Sequence, residues 1–186
     1  MHMETIESIG RSLKDPSWKV RERAARRTDW TPTLNQIEEG LTDEDMDVRY
    51  AWAERMCFTP TYKQTERGLT DEDCGVREAW AKRMDWTPTP EQVEMGLNDE
   101  DNDVRCAWVK RMDWTPTPEQ VKKGLDDDDH DVRIAWVERM DWIPSSEQAA
   151  AGLNDQSEKV RDVWMKRLKM ENERLLESGH NLEVSL

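Results

Sequence analysis

Apolar residues in this chain recur in a fixed order every 28 residues. From Asp29 to Met56 the sequence reads DWTPTLNQIEEGLTDEDMDVRYAWAERM, and four more repeats follow without insertion, starting at Cys57, Asp85, Asp113 and Asp141 and ending at Leu168. A repeat at constant period is the signature of a stacked array. Each repeat predicts two helices. The first opens with a capping box at Thr33/Gln36, Thr61/Gln64, Thr89/Gln92, Thr117/Gln120 and Ser145/Gln148, with Pro at the first helical position in the third and fourth repeats. A glycine follows at 40, 68, 96, 124 and 152, where a left-handed residue would stop the helix. Asp43, Asp71, Asp99, Asp127 and Asp155 are the expected N-caps of the second helix. In the first repeat Val48, Ala51, Trp52 and Met56 form its apolar stripe, and Arg55 falls in its last turn.

A hairpin this small cannot bury both its faces, so neighbours must share a core. Two columns of large side chains are expected to fill it: Trp52, Trp80, Trp108, Trp136 and Trp164 in one, and Trp30, Phe58, Trp86, Trp114 and Trp142 in the other. The fold class is therefore all-α, an α-solenoid of about six 28-residue helix-pair repeats. Its organisation is read as a degenerate capping repeat at 1–28, five tandem repeats at 29–168, and a C-terminal helix and frayed tail at 169–186, in one continuous domain. Leu168, Leu175 and Leu176 would cover the last repeat, and residues 180–186 would fray.

The string D-x-x-x-x-V-R, followed by Ala and Trp, a Pro-containing turn and a short helix, resembles the leucine-rich repeat variant family and HEAT-like repeats. It holds six times, at Asp15/Arg21, Asp43/Arg49, Asp71/Arg77, Asp99/Arg105, Asp127/Arg133 and Asp155/Arg161. The resemblance implies an Asp–Arg ladder between neighbouring repeats. The cysteine cluster that some variant-repeat proteins use for an iron–sulfur centre is absent, so it implies no cofactor.

Composition changes the picture in two respects. The chain has 186 residues, a mean hydropathy of -1.00 and a net charge of -14, values that would suit a disordered segment were it not for ten Trp. Its acidity disfavours direct nucleic-acid binding, because phosphate contacts supply most non-specific affinity. Charge is uneven: residues 1–28 carry seven Lys/Arg and four Asp/Glu, whereas the repeat from Asp29 stands at -6. Three cysteines without a CxxC spacing suit a reduced, cytoplasmic setting.

The candidate chemistry is the acidic turn. Capping needs one Asp and at most one more carboxylate in the first turn, and the repeats that start at Asp29, Asp85 and Asp113 carry four. The surplus points to an acidic edge, with Asp45, Asp47, Asp73, Asp101, Asp103, Asp129 and Asp131 as the candidate partner-binding residues. The expected function is non-catalytic binding of a partner protein with a basic surface. The alternative is a phage-type nucleic-acid mimic, an anti-CRISPR or other anti-defence protein that blocks a DNA- or RNA-binding groove. D-x-D-x-D resembles the start of a calcium loop, but Val48 stands at the sixth position where that loop needs Gly, so no metal is expected. His2, His130 and His180 pair with no Cys or Ser at a catalytic spacing, so no catalytic residue is expected either. No membrane partner is expected, and a homo-oligomer is not indicated.

Overall fold

The computed structural model of the chain describes residues 6–177, apart from the side chains at 6 and 175–177. The expected cover from Leu175 and Leu176 and the fraying of residues 180–186 lie outside the described residues. These form twelve helices and no strand. Contacts divide the chain into two compact units, Met1–Asp113 and Trp114–Leu186.

The first unit holds four hairpins: α1 (Ile6–Ser12) with α2 (Trp18–Ala25), α3 (Leu34–Leu41) with α4 (Met46–Ala53), α5 (Tyr62–Leu69) with α6 (Cys74–Lys82), and α7 (Pro90–Leu97) with α8 (Asn102–Lys110). Each first helix packs on its own second helix, while the second helices stack in chain order, α4 on α2, α6 on α4 and α8 on α6. The second unit repeats the scheme with α9 (Pro118–Leu125) and α10 (His130–Glu138), then α11 (Ser146–Leu153) and the long α12 (Glu158–Glu177), which packs on α10. This is the helical repeat architecture the periodicity predicts.

All five capping boxes form with both reciprocal bonds. Gln64 and Gln92 do more than cap: each amide Nε2 donates to the Glu one repeat earlier, Glu38 at 2.5 Å and Glu66 at 2.6 Å, tying successive first helices together.

The predicted glycine role is wrong. Gly40, Gly68, Gly96, Gly124 and Gly152 lie inside their helices and none has a left-handed φ. Each faces the indole of its own repeat, at Trp52, Trp80, Trp108, Trp136 and Trp164, so closely that an added Cβ would lie about 2 Å from the ring. The glycine is there because the tryptophan fills the space of its side chain.

These five indoles are the buried column, none more than 2% exposed. The second column is buried only at Trp30; Phe58, Trp86, Trp114 and Trp142 are half-buried. Trp30, Trp86, Trp114 and Trp142 each stand edge-on to the buried indole of the same repeat, with centroids 6.0–6.2 Å apart. Val48, Ala51 and Trp52 are buried as the stripe requires, but Met56 is exposed: α4 ends at Ala53, so the helical period no longer governs position 56.

Arg55 also lies beyond α4. Its guanidinium is buried and reaches back to the junction with the preceding repeat, donating to the carbonyls of Ala25 at 2.5 Å and Arg27 there and of Trp30 at 2.8 Å at the start of its own repeat. Arg83, Arg111 and Arg167 take the corresponding carbonyls, Arg111 through Ala81, Arg83 and Trp86. Each cation therefore satisfies carbonyls left open where the preceding second helix ends, and covers one face of an aromatic ring, as Arg111 does over Trp86 at 4.4 Å. That cover explains why the second aromatic column need not be fully buried.

Candidate protein-interaction surface

The turn that joins the two helices of a repeat gathers its carboxylates, and the structure assigns them different work. The N-caps are Asp45, Asp73, Asp101 and Asp129, two residues later than predicted. The Asp101 carboxylate accepts the N–H groups of Asp103 at 2.9 Å and Val104 at 3.2 Å; Asp129 does the same for Asp131 and Val132. Asp43 is displaced from the cap because it has two other partners. Its Oδ1 accepts the Asp45 N–H at 2.9 Å, and both its oxygens take the guanidinium of Arg21 from the preceding repeat, each at 2.8 Å.

That bidentate pair is one rung of the predicted ladder. Arg49 grips Asp71, Arg77 grips Asp99 and Arg133 grips Asp155 in the same manner, at 2.8–2.9 Å. The third guanidinium nitrogen of each donates to its own turn, as Arg49 Nη1 does to Asp43 O at 3.0 Å. The side chains of Arg49 and Asp71 are 9% and 8% exposed. The hydrogen bond to Asp71 raises the Arg49 pKa further above its ordinary value, and Arg21, Arg77 and Arg133 respond alike to Asp43, Asp99 and Asp155. Burial pushes the Asp155 carboxyl up, but the Arg133 guanidinium and the Ser157 N–H together hold it below the usual carboxylate range. An arginine so engaged has no fork left for a phosphate.

With the rung and the cap accounted for, the turn still has carboxylates to spare. Glu44, Glu72 and Glu100 are 86–87% exposed and touch the ladder arginines only at 3.2–3.4 Å. The sequence places these residues in the acidic turns but not in the expected partner-binding set, though their place between two committed aspartates marks them as pointing outward. Of the predicted set, Asp103 and Asp131 are exposed and Asp47 is half-exposed, whereas Asp45, Asp73, Asp101 and Asp129 are half-buried caps. In the repeat that starts at Cys57 the position of Asp47 is Gly75, so that stretch of the edge is thinner.

Asp129, His130 and Asp131 place one possible ligand atom each within 4.8 Å of one another. They sit at the positive N-terminal end of α10, where an anion rather than a cation is favoured, and Asp129 is already a cap. Among the described residues no helix is long and apolar enough to cross a membrane.

No protein-family model and no curated protein matches the chain. A solved structure does: a leucine-rich repeat variant described as having a novel repetitive structural motif, 26% identical, with a TM-score of 0.65 over 87% of this chain. The chain spans 60% of the length of that structure. The protein has the leucine-rich repeat variant fold.

Proposed function

We propose that the protein is a non-catalytic interaction module that binds a partner protein with a basic surface through the acidic edge. One observation carries this reading: after the ladder and the caps have taken their carboxylates, three successive turns still project Glu44, Glu72 and Glu100 into solvent. Surplus charge of one sign raises self-repulsion, and a surface with a complementary field would relieve it. The repeat fold supports an interaction role because stacked hairpins present equivalent side chains at regular intervals.

Charge density favours a second reading. Stacked helices lie roughly 8–10 Å apart. Glu44 and Asp47 per repeat then give a spare carboxylate about every 4–5 Å, comparable with the roughly 3.4 Å charge spacing along one DNA strand. The partner's basic surface would in that case be a nucleic-acid groove.

The test is affinity capture from the source cell with the wild type and with a variant carrying Glu44→Gln, Asp47→Asn, Glu72→Gln, Glu100→Gln and Asp103→Asn. Proteins held by the wild type and lost by the variant, with helical circular dichroism unchanged, are the expected result. An identical captured set would end the reading. Excess duplex DNA should release the partner only if its surface is a nucleic-acid groove.

A further inference from the structure

The ladder has two ends. Within the array every described rung joins an arginine of one repeat to an aspartate of the next. Arg161 lies in the repeat that starts at Asp141, and the 28-residue pattern stops at its end, Leu168. Its Nη1 is fixed as in the other rungs, donating to Asp155 O at 2.7 Å and Gln156 O at 3.2 Å. Its Nε and Nη2, the pair that grips a carboxylate elsewhere, meet no acceptor among the described residues. Asp15 is the reverse case. Its Oδ1 accepts the Ser17 N–H at 2.8 Å, as Asp43 Oδ1 accepts that of Asp45, but among the described residues no guanidinium reaches its carboxylate.

A second position repeats the pattern. Tyr50 of one repeat packs at Gly75 of the next, its ring 3.7 Å from where a glycine Cβ would lie. The position of Tyr50 in the last repeat is Asp162, and the position of Gly75 in the first is Lys19; both are exposed. The two ends therefore carry opposite charges at two positions that face each other inside the array. Met165 supports the same conclusion: it is 53% exposed where Ala53, Ala81 and Val137 are fully buried by the following hairpin.

We propose that the last repeat of one copy docks on the first repeat of a second copy, with Arg161 gripping Asp15 and Asp162 facing Lys19. This surface is separate from the acidic edge and does not depend on the function proposed above. The contact is reversible. Arg23 is exposed on α2 at the position where Ala51 and Ala79 are buried, so the junction is a polar seam rather than a closed core. Lys166 would also meet Arg26, since Arg26 bonds Glu54 of the next repeat at 2.7 Å and Lys166 occupies its position in the last. Such a junction is heterologous, so it adds copies in sequence instead of closing a symmetric pair.

Sedimentation of the full chain over a wide concentration range tests this. The salt should be about 0.15 M, where charges more than roughly 8 Å apart are screened and the net charge of each copy matters little. The mass of the wild type should rise with concentration. Arg161→Asp and Asp15→Arg should each abolish the rise, and their equimolar mixture should restore it, because one junction is then native and the other has its charges exchanged. Should either variant fold poorly, Asp162→Lys and Lys19→Asp provide the same test at exposed positions. A wild type that stays at 21.9 kDa throughout, folded variants that associate like the wild type, or a mixture of folded variants that does not recover would each overturn the proposal.

Discussion

Five glycines show how one residue type at one spacing can have two causes. A glycine seven residues after a capping box suits a helix stop, and the sequence supports that reading at every repeat. The structure places each of them inside its helix, under an indole. A signal for this is present in the degenerate first repeat, where Ser12 stands for the glycine and Ala24 for the tryptophan: the two change together. The two causes predict opposite outcomes. Gly→Ala in an ordinary helix interior stabilises by about 0.5–1 kcal/mol. Gly96→Ala instead drives a methyl to about 2 Å from Trp108, and overpacking of that kind costs roughly 1–3 kcal/mol or more. Gly10 is the internal control, since a Cβ there meets only Gln36 Nε2 at 3.8 Å. Urea unfolding should show Gly96→Ala destabilised and Gly10→Ala neutral or stabilised. Equal effects at the two sites would remove the indole from the explanation.

At the scale of elements, helix pairing was legible because it rests on local signals: the boxes, the Thr-Pro turns and the Val-x-x-Ala-Trp stripe. What joins one hairpin to the next was half legible. The Asp–Arg ladder could be anticipated from the resemblance to HEAT-like repeats, whereas the arginine after each second helix reads locally as a cation suited to a helix C-terminus. Its partners are backbone carbonyls 25–30 residues earlier, and a carbonyl leaves no mark in a sequence. The cap assignment failed for a related reason. Several acids compete for one N-terminus, and the choice is made by an arginine 22 residues away that removes Asp43 from the contest. Arg83 shows what the second arginine row contributes. Its side chain is 1% exposed and bonds Ala53 O, Arg55 O, Phe58 O and both oxygens of Asp85. Lysine keeps the charge but cannot reach that many acceptors in a planar fork. Arg83→Lys should therefore cost about 2–4 kcal/mol, since a buried acceptor left without a donor costs roughly 1–3 kcal/mol, and thermal unfolding would show it. A loss within the range of ordinary surface substitutions would mean that the carbonyls are satisfied in some other way.

For the whole molecule, charge acts in two opposing ways, and stability against pH and salt separates them. The net charge of -14 repels itself across the surface, while Arg133 and Arg139 hold Asp155 and Asp141 in their ionised form. The Arg139 guanidinium lowers the Asp141 pKa through its hydrogen bonds, and Asp155 stays low against its own burial because Arg133 grips it. Both carboxyls thus release their protons more readily when folded than when unfolded. The stabilisation they give is complete above the unfolded aspartate value of about 3.9 and is lost as pH falls through the lower folded values. Salt has the opposite sign at neutral pH. It screens the exposed acids, whose mutual repulsion is destabilising, and reaches the half-buried rungs much less. The melting temperature should therefore rise with added salt at pH 7 and fall steeply with acid below about pH 4. Asp155→Asn should melt lower at pH 7 and lose part of the acid dependence, because the asparagine has no proton to take up. A melting temperature that falls with salt at pH 7 would show that exposed ion pairs, rather than the buried rungs, carry the electrostatic stability.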